Sequence, residues 1–142
     1  MIKIRKCNND DYPILVEVWE RSVRATHDFL SENDIQEIKG MLTSDYFPNV
    51  DLLCCESDGI ITGFIGISGS MIEMLFVDDT CRGKGYGTIL IDKAIKDGAK
   101  LVDVNEQNPS ALTFYESKGF KIIGRLETDE AGRSFPILHL SL

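Results

Sequence analysis

The chain has 142 residues, 43% of them hydrophobic, enough for one buried core and too few for two independent ones, so a single domain over residues 1–142 is expected. Its formal charge of −8 argues against a protein built to grip a nucleic-acid backbone and suits a neutral or cationic partner instead. No apolar run reaches the ~20 residues a bilayer requires, and the opening "MIKIRKC" has no leader-like pattern, so a cytoplasmic protein without membrane contact is expected.

"MIKIRKC" alternates like an edge strand. "NNDDYPILVEVWERSVRATH" reads as a helix, with Asn8 or Asn9 as cap, acids in the first turn, Pro13 near the start, and Ile14, Val18, Trp19, Ser22 and Val23 as its stripe. A linker holding His27, Phe29 and Leu30 leads to a second helical pattern, "SENDIQEIKGMLTSDYF", capped by Ser31, with Ile35, Ile38, Met41 and Leu42 on one face. From residue 51 the period becomes that of strands. "DLLCCES", "IITGFIGISG" and "MIEMLFVDD" form an antiparallel meander whose first turn is set by Asp58-Gly59. Cys54 and Cys55 then point to opposite faces of their strand. The four cysteines contain no Cys-x-x-Cys pair and stand at no ligand spacing to His27 or His139, so no metal is expected.

After "MIEMLFV" come "RGKGYG", a helix "GTILIDKAIKDG" ended by Gly98, and a strand "KLVDVN"; this crossover favours parallel pairing of the last strand with "MIEMLFV". Asn108 caps a further helix, "PSALTFYESK", with Pro109 in its first position and Gly119 beyond its end. "FKIIGRLET" and "SFPILHLSL", joined by "DEAGR" as a hairpin, complete an α+β chain in which His139 reads as a satisfied sheet residue.

The glycines before "TILID" raise a chemical question. Small residues directly before a helix let several backbone N–H groups converge where the helix dipole adds to them, a geometry suited to a pyrophosphate. Gly83, Gly85 and Gly87 keep side chains out of the way, Arg82 and Lys84 bring charge, and Thr88 adds a hydroxyl. The same residues also suit a loop with an ordinary helix entry. Their spacing matches neither a P-loop nor the Gly-x-Gly-x-x-Gly dinucleotide fingerprint.

"RGKGYG" does match Gln/Arg-x-x-Gly-x-Gly/Ala, the phosphate loop of the GNAT superfamily of acyl-CoA-dependent N-acetyltransferases, through Arg82, Gly85 and Gly87. "IEMLFVDDTC" is similar to that family's fourth strand, and "NPSALTFYESKGF" to its Asn-x-x-Ala-x-x-Phe-Tyr-x-x-x-Gly-Phe segment. The chain thus resembles this superfamily, and "SVRATHDFLS" and "VNEQNPSA" resemble a bacterial branch of small, stand-alone members. The resemblance implies a three-layer αβα fold with a mixed, mostly antiparallel sheet of about seven strands, about four helices, and a splayed parallel pair that holds coenzyme A.

The resemblance further implies transfer of acetyl from acetyl-CoA, without a metal, to a primary amine by direct attack in a ternary complex, the amine belonging to a small molecule or a protein. A non-catalytic acyl-CoA-binding sensor would carry the same loop. Leu75, Phe76 and Val77 are implied beside the pantetheine arm, Leu75 and Val77 through their backbone; Arg82, Gly83, Lys84, Gly85, Tyr86, Gly87 and Thr88 at the phosphates; Asn105 and Asn108 near the arm. Tyr115 is implied as both a donor contact and the acid that protonates the departing thiolate, because thiol and phenol pKa values of ~8.5 and ~10 lie close. Phe114 beside it reads as packing. Two residues compete as base: Glu73, which reads equally as a solvated strand residue, and His27, titrating near neutrality, which reads also as structural. Asn105 reads equally as a turn residue, and Phe29 and Leu30 are candidate walls for the acceptor. Monomer and homodimer both stay open.

Overall fold

The computed structural model describes residues 1–129 and 132–142. Its strands are β1 (Ile2–Lys6), β2 (Asp51–Ser57), β3 (Ile60–Ser68), β4 (Met71–Val77), β5 (Leu101–Asn105), β6 (Lys121–Leu126) and β7 (Ile137–Ser141), in one sheet ordered β1-β2-β3-β4-β5-β7-β6. Helices α1 (Tyr12–Thr26) and α2 (Glu32–Met41) pack on one face, and α3 (Tyr86–Lys96) and α4 (Pro109–Ser117) on the other. Strand alternation feeds the two cores separately. Cys54 and Phe64 enter the α1/α2 side while their neighbours Cys55 and Ile65 enter the α3/α4 side, all four fully buried.

Asn8 caps a short 3-10 turn at Asn9–Asp11 through a capping box with Asp11, and α1 follows directly with Pro13 in its first turn. The buried stripe of α1 is Leu15, Val18, Trp19, Ser22 and Val23, whereas Ile14 is 46% exposed. This corrects the expected stripe by one residue: spacings of three, four, seven and eight counted from Leu15 reach the other four, and Ile14 falls outside that face. Ser31 caps α2 through a capping box with Asp34. The helix stops earlier than its pattern suggests, at Met41, and continues as a wide turn at Leu42–Tyr46 and a 3-10 turn at Phe47–Asn49. The change of winding sends Leu42 and Phe47 into the same core, each 1% exposed.

Asp58 and Gly59 have φ of 52° and 83°, the two left-handed residues that a tight hairpin needs to match strand twist. At the other end of the sheet β7 lies between β5 and β6 and pairs antiparallel with both. The β6–β7 connection begins before and ends after "DEAGR", of which Glu130 and Ala131 lie outside the described residues.

The feature that positions the site is the junction of β4 and β5. Their parallel ladder consists of two pairs, Met71↔Leu101 and Ile72↔Val102, and then the strands part. At the same point the register of β4 against β3 slips between Ile72 and Met74, which makes Glu73 a bulge residue. Beyond the bulge β4 stays with β3 as far as Gly63↔Val77, so it is β5 that is left behind and a fork opens. Among the described residues no helix is long and apolar enough to cross a membrane.

Candidate active site

The fork opens a cleft of about 410 Å³, bounded by β4 from Ile72 onward, by β5, by the last turn of α1, by the loop before α3 and by α4 from Ser110 to Tyr115. The loop is held at its root. Asp78, 5% exposed, accepts hydrogen bonds from Arg21 Nη2 of α1 at 2.6 Å and from the N–H and hydroxyl of Thr80 at 3.1 and 3.0 Å. Burial pushes this carboxyl up, but Arg21 and Thr80 together outweigh it and hold it below its ordinary value.

Further on, Gly83 and Gly85 have φ of 77° and 83°, a conformation that side-chained residues adopt only under strain. Gly85 is the N-cap of α3 and has no side chain to offer, and the first helical bond runs from the Ile89 N–H to the Gly85 carbonyl at 3.0 Å. The N–H groups of residues 86, 87 and 88 therefore lack a helical acceptor at the end of the helix where the dipole is positive. Arg82 borders the cleft and is paired with Asp79 at 3.0 Å. Gly83, Gly85, Gly87 and Thr88 border it too, but Lys84 and Tyr86 do not. Tyr86 turns into the α3/α4-side core with Leu90, Ile91 and Ala94, the stripe that docks α3, and keeps just its N–H toward the loop. Lys84 stands exposed.

Across the fork, Glu73, Leu75, Phe76 and Val77 line one wall and Asn105 and Asn108 the other. Asn105 has the expected turn role, its Oδ1 accepting from the Gln107 N–H at 2.8 Å, and it also borders the cleft. Asn108 caps α4, its Oδ1 accepting from the Ala111 N–H at 3.3 Å. Phe114 and Tyr115 follow on α4 with ring centroids 5.3 Å apart, and both border the cleft. Tyr115 is 7% exposed and its hydroxyl has no hydrogen bond within the described residues, yet none of the buried side-chain N or O atoms there is unsatisfied. The hydroxyl itself therefore opens on the cleft. Desolvation pushes this phenol well above its ordinary pKa, so it stays protonated and is a weaker acid than the near match expected from the sequence.

His27 ends α1 and is half-buried. Its Nδ1 lies 2.7 Å from Thr26 Oγ1, its Nε2 lies 3.5 Å from Asn108 Nδ2, and its ring centroid is 5.3 Å from that of Phe29 and 6.4 Å from that of Phe76. Burial first, and then the charge of Arg82, lower its pKa to about 4. The expectation of a histidine titrating near neutrality is thus corrected, because a cation there would be desolvated beside another cation. Phe29 and Leu30 do not border the cleft. Phe29 instead packs its ring between His27 and Phe135, the latter 5.6 Å away, and Leu30 packs on the α1/α2-side core.

Among the cleft residues that the sequence did not single out for the site are the polar Ser22, Thr26, Asp103 and Ser110 and the apolar Ile72, Met74, Val102, Val104 and Ala111. Asp103 shares a face of β5 with Asn105, which alternation in "LVDVN" signals, and its Oδ1 lies 2.6 Å from His139 Nδ1, the partner that satisfies that histidine. Ser22 and Thr26 stand four apart, the one signal that they share a helix face. Among the described residues no group of three or more His, Cys, Asp or Glu is arranged to hold a metal ion.

Residues 17–137 match the family described as the acetyltransferase (GNAT) domain. The chain is 39% identical over 142 residues to the peptidyl-lysine N-acetyltransferase YjaB of Salmonella typhimurium, with 99% of this chain and 97% of that protein covered. The solution structure of apo-form YjaB from Escherichia coli superposes with a TM-score of 0.91 at 36% identity, covering 99% of this chain and 97% of that one. The crystal structure of PaiA N-acetyltransferase from Thermoplasma acidophilum, in complex with coenzyme A, shares the fold with a TM-score of 0.76 at 23% identity, covering 100% and 99%.

Proposed function

Because the chain belongs to the GNAT family of acetyltransferases, we propose that it transfers the acetyl group of acetyl-CoA to the side-chain amine of a lysine in a protein, by direct attack within a ternary complex. The chain is an acetyl-CoA-dependent N-acetyltransferase, not a passive sensor. The observation that carries the mechanism is the fork after Ile72 and Val102, which leaves one edge of β4 open along a cleft that ends at the free N–H groups of α3. The lysine rests on the relatives, named as peptidyl-lysine N-acetyltransferases. A charge of −8 also suits a cationic acceptor.

In this reading the pantetheine arm lies along β4 and takes backbone hydrogen bonds at Leu75 and Val77 beside Phe76, while the pyrophosphate meets the N–H groups of residues 86 to 88 and Arg82. A β4 N–H directed at the thioester carbonyl stabilises the oxyanion that forms as the amine nitrogen bonds to the acetyl carbon. Collapse breaks the C–S bond, the thiolate takes the proton of Tyr115, and the second proton lost by the attacking nitrogen as it becomes the amide restores the phenol, whose ionised form burial disfavours. Glu73, exposed at the bulge, draws the incoming ammonium and removes its proton directly or through water. His27 is the poorer base, since its protonation would set a buried cation beside Arg82.

The test is to incubate the protein with acetyl-CoA and, in parallel, lysine-containing peptides and small amines, following free thiol and the mass of the product. Thiol release with peptides modified at lysine is expected; modification of small amines alone would overturn the acceptor assignment. Tyr115→Phe should lower kcat by ~100-fold while acetyl-CoA affinity stays within ~2-fold. An undiminished kcat would remove Tyr115 from the acid role.

A further inference from the structure

At the junction of α1 and α4 a chain of hydrogen bonds has its direction determined from both ends. The Ser22 carbonyl can only accept, so the Thr26 hydroxyl, 2.8 Å away, donates to it. A hydroxyl carries one proton. With that proton committed, Thr26 Oγ1 meets His27 Nδ1 at 2.7 Å as an acceptor, and Nδ1 must bear the hydrogen. At the far end Asn108 Oδ1 accepts from the Ala111 N–H, which leaves Nδ2, a pure donor, facing His27 Nε2 at 3.5 Å. Nε2 therefore presents its lone pair. Both ends point to the same tautomer of His27, with the 2.7 Å contact to Thr26 as the determining one and the 3.5 Å contact to Asn108 compatible with it, and the ring stays neutral through the physiological range.

We propose that Thr26 and His27 are positioning residues for the transfer reaction, a relay that holds the Asn108 side-chain amide, and with it the first turn of α4, across the open fork. The placement supports this. Helix α1 packs on β3 and β4, and α4 follows β5, so the His27–Asn108 contact joins the two arms that part beyond Ile72 and Val102. Ser22, Thr26, His27 and Asn108 all border the cleft. An amide nitrogen has two hydrogens. One is held by His27 through a long hydrogen bond, and the other is left to serve the cleft. The orientation of that donor depends on a neutral, Nδ1-protonated histidine, which depends in turn on the Thr26 hydroxyl. The inference rests on the cleft taking acetyl-CoA as proposed above.

Side-chain nitrogen NMR of histidine-labelled protein tests the relay without reference to activity. The chain has two histidines, and His27→Gln identifies the signal of interest. Between pH 6 and pH 8, His27 should show a protonated Nδ1 and an unprotonated Nε2 with no titration. Thr26→Val should lose that pattern and Thr26→Ser should keep it. In calorimetry, Thr26→Val and His27→Phe should bind acetyl-CoA ~10-fold more weakly, whereas His27→Gln, whose Oε1 can still accept from Asn108, should recover most of the loss. Far-UV circular dichroism confirms that each variant is folded. A protonated Nε2 at neutral pH, or wild-type affinity in folded His27→Phe, would overturn the relay. Loss of the acidic limb of the kcat profile in His27→Gln would overturn it as well, by making His27 the base. Wild-type protein that binds no acetyl-CoA would instead overturn the functional reading beneath it, and the NMR result would still report the tautomer.

Discussion

Burial acts on Tyr115 and His27 in opposite directions on the pKa scale and to the same end, since desolvation penalises the phenolate of one and the imidazolium of the other. The two ionisable rings that border the cleft are therefore both neutral, and formal charge is concentrated in the loop and at the exposed carboxylates. In the loop, Arg82 is already paired with Asp79 at 3.0 Å, both partners being about half exposed. In the proposed complex a phosphate competes with that carboxylate for the guanidinium. Asp79→Asn should therefore tighten acetyl-CoA binding by ~2- to 5-fold at low ionic strength, an advantage that shrinks as salt screens the pair. Calorimetry at two salt concentrations checks this, and equal affinities at low salt would mean that Asp79 does not compete. The motif residues were legible because glycine and arginine advertise their chemistry in one dimension. Ser22, Thr26 and Asp103 were not, because a hydroxyl or carboxylate on a helix or strand looks like any solvated residue until a partner from another element arrives.

At the level of elements, caps and turns were the most readable features: Ser31 and Asn108 cap the expected helices and Asp58-Gly59 turns, whereas Asn8 caps the 3-10 turn that precedes α1 and not α1 itself, whose N-cap, Asp11, makes no side-chain cap bond. Their signals are local, since a cap bonds to a backbone two or three residues away. The phase of α1 was less secure, because Ile14 and Leu15 are equally apolar and only the sheet decides which one it covers. Leu15→Ala should cost about 3 kcal/mol and Ile14→Ala under about 0.5 kcal/mol, as read from urea midpoints. Equal effects would mean that the stripe is wider than the contacts indicate. The bulge at Glu73 had no local signal at all. "MIEMLFV" reads as an unbroken strand, and the extra residue exists only relative to the register of β3.

For the whole molecule, charge and burial make acid the natural denaturant. The folded pKa of His27 is depressed from 6.5 to about 4, so between those values the unfolded chain binds more protons and stability falls as pH drops. Asp11, paired with Arg5 at 2.8 Å, is depressed from 3.8 to about 2, with the hydrogen bond to Arg5 as the main cause. Its contribution is intact above the unfolded value and is lost as pH falls through the folded one. Urea unfolding followed against pH should show an upper loss between about pH 6.5 and 4 and a lower one between about pH 4 and 2. His27→Gln should flatten the upper and Asp11→Asn the lower. A wild-type curve level from pH 7 to pH 4 would mean that His27 is not desolvated.

The amino-acid order by itself determined the succession of strands and helices, the parallel crossover and the glycine loop that enters α3, because periodicity, capping and glycine placement are properties of neighbours along the chain. It also placed Tyr115, Glu73 and His27 as candidates in advance. The tertiary structure decided what those candidates can do. The length of the β4–β5 ladder, the burial that keeps Tyr115 protonated and His27 neutral, the withdrawal of Tyr86 into the core and the tautomer of His27 all depend on atoms distant in sequence, and desolvation and hydrogen-bond direction arise only once those atoms meet.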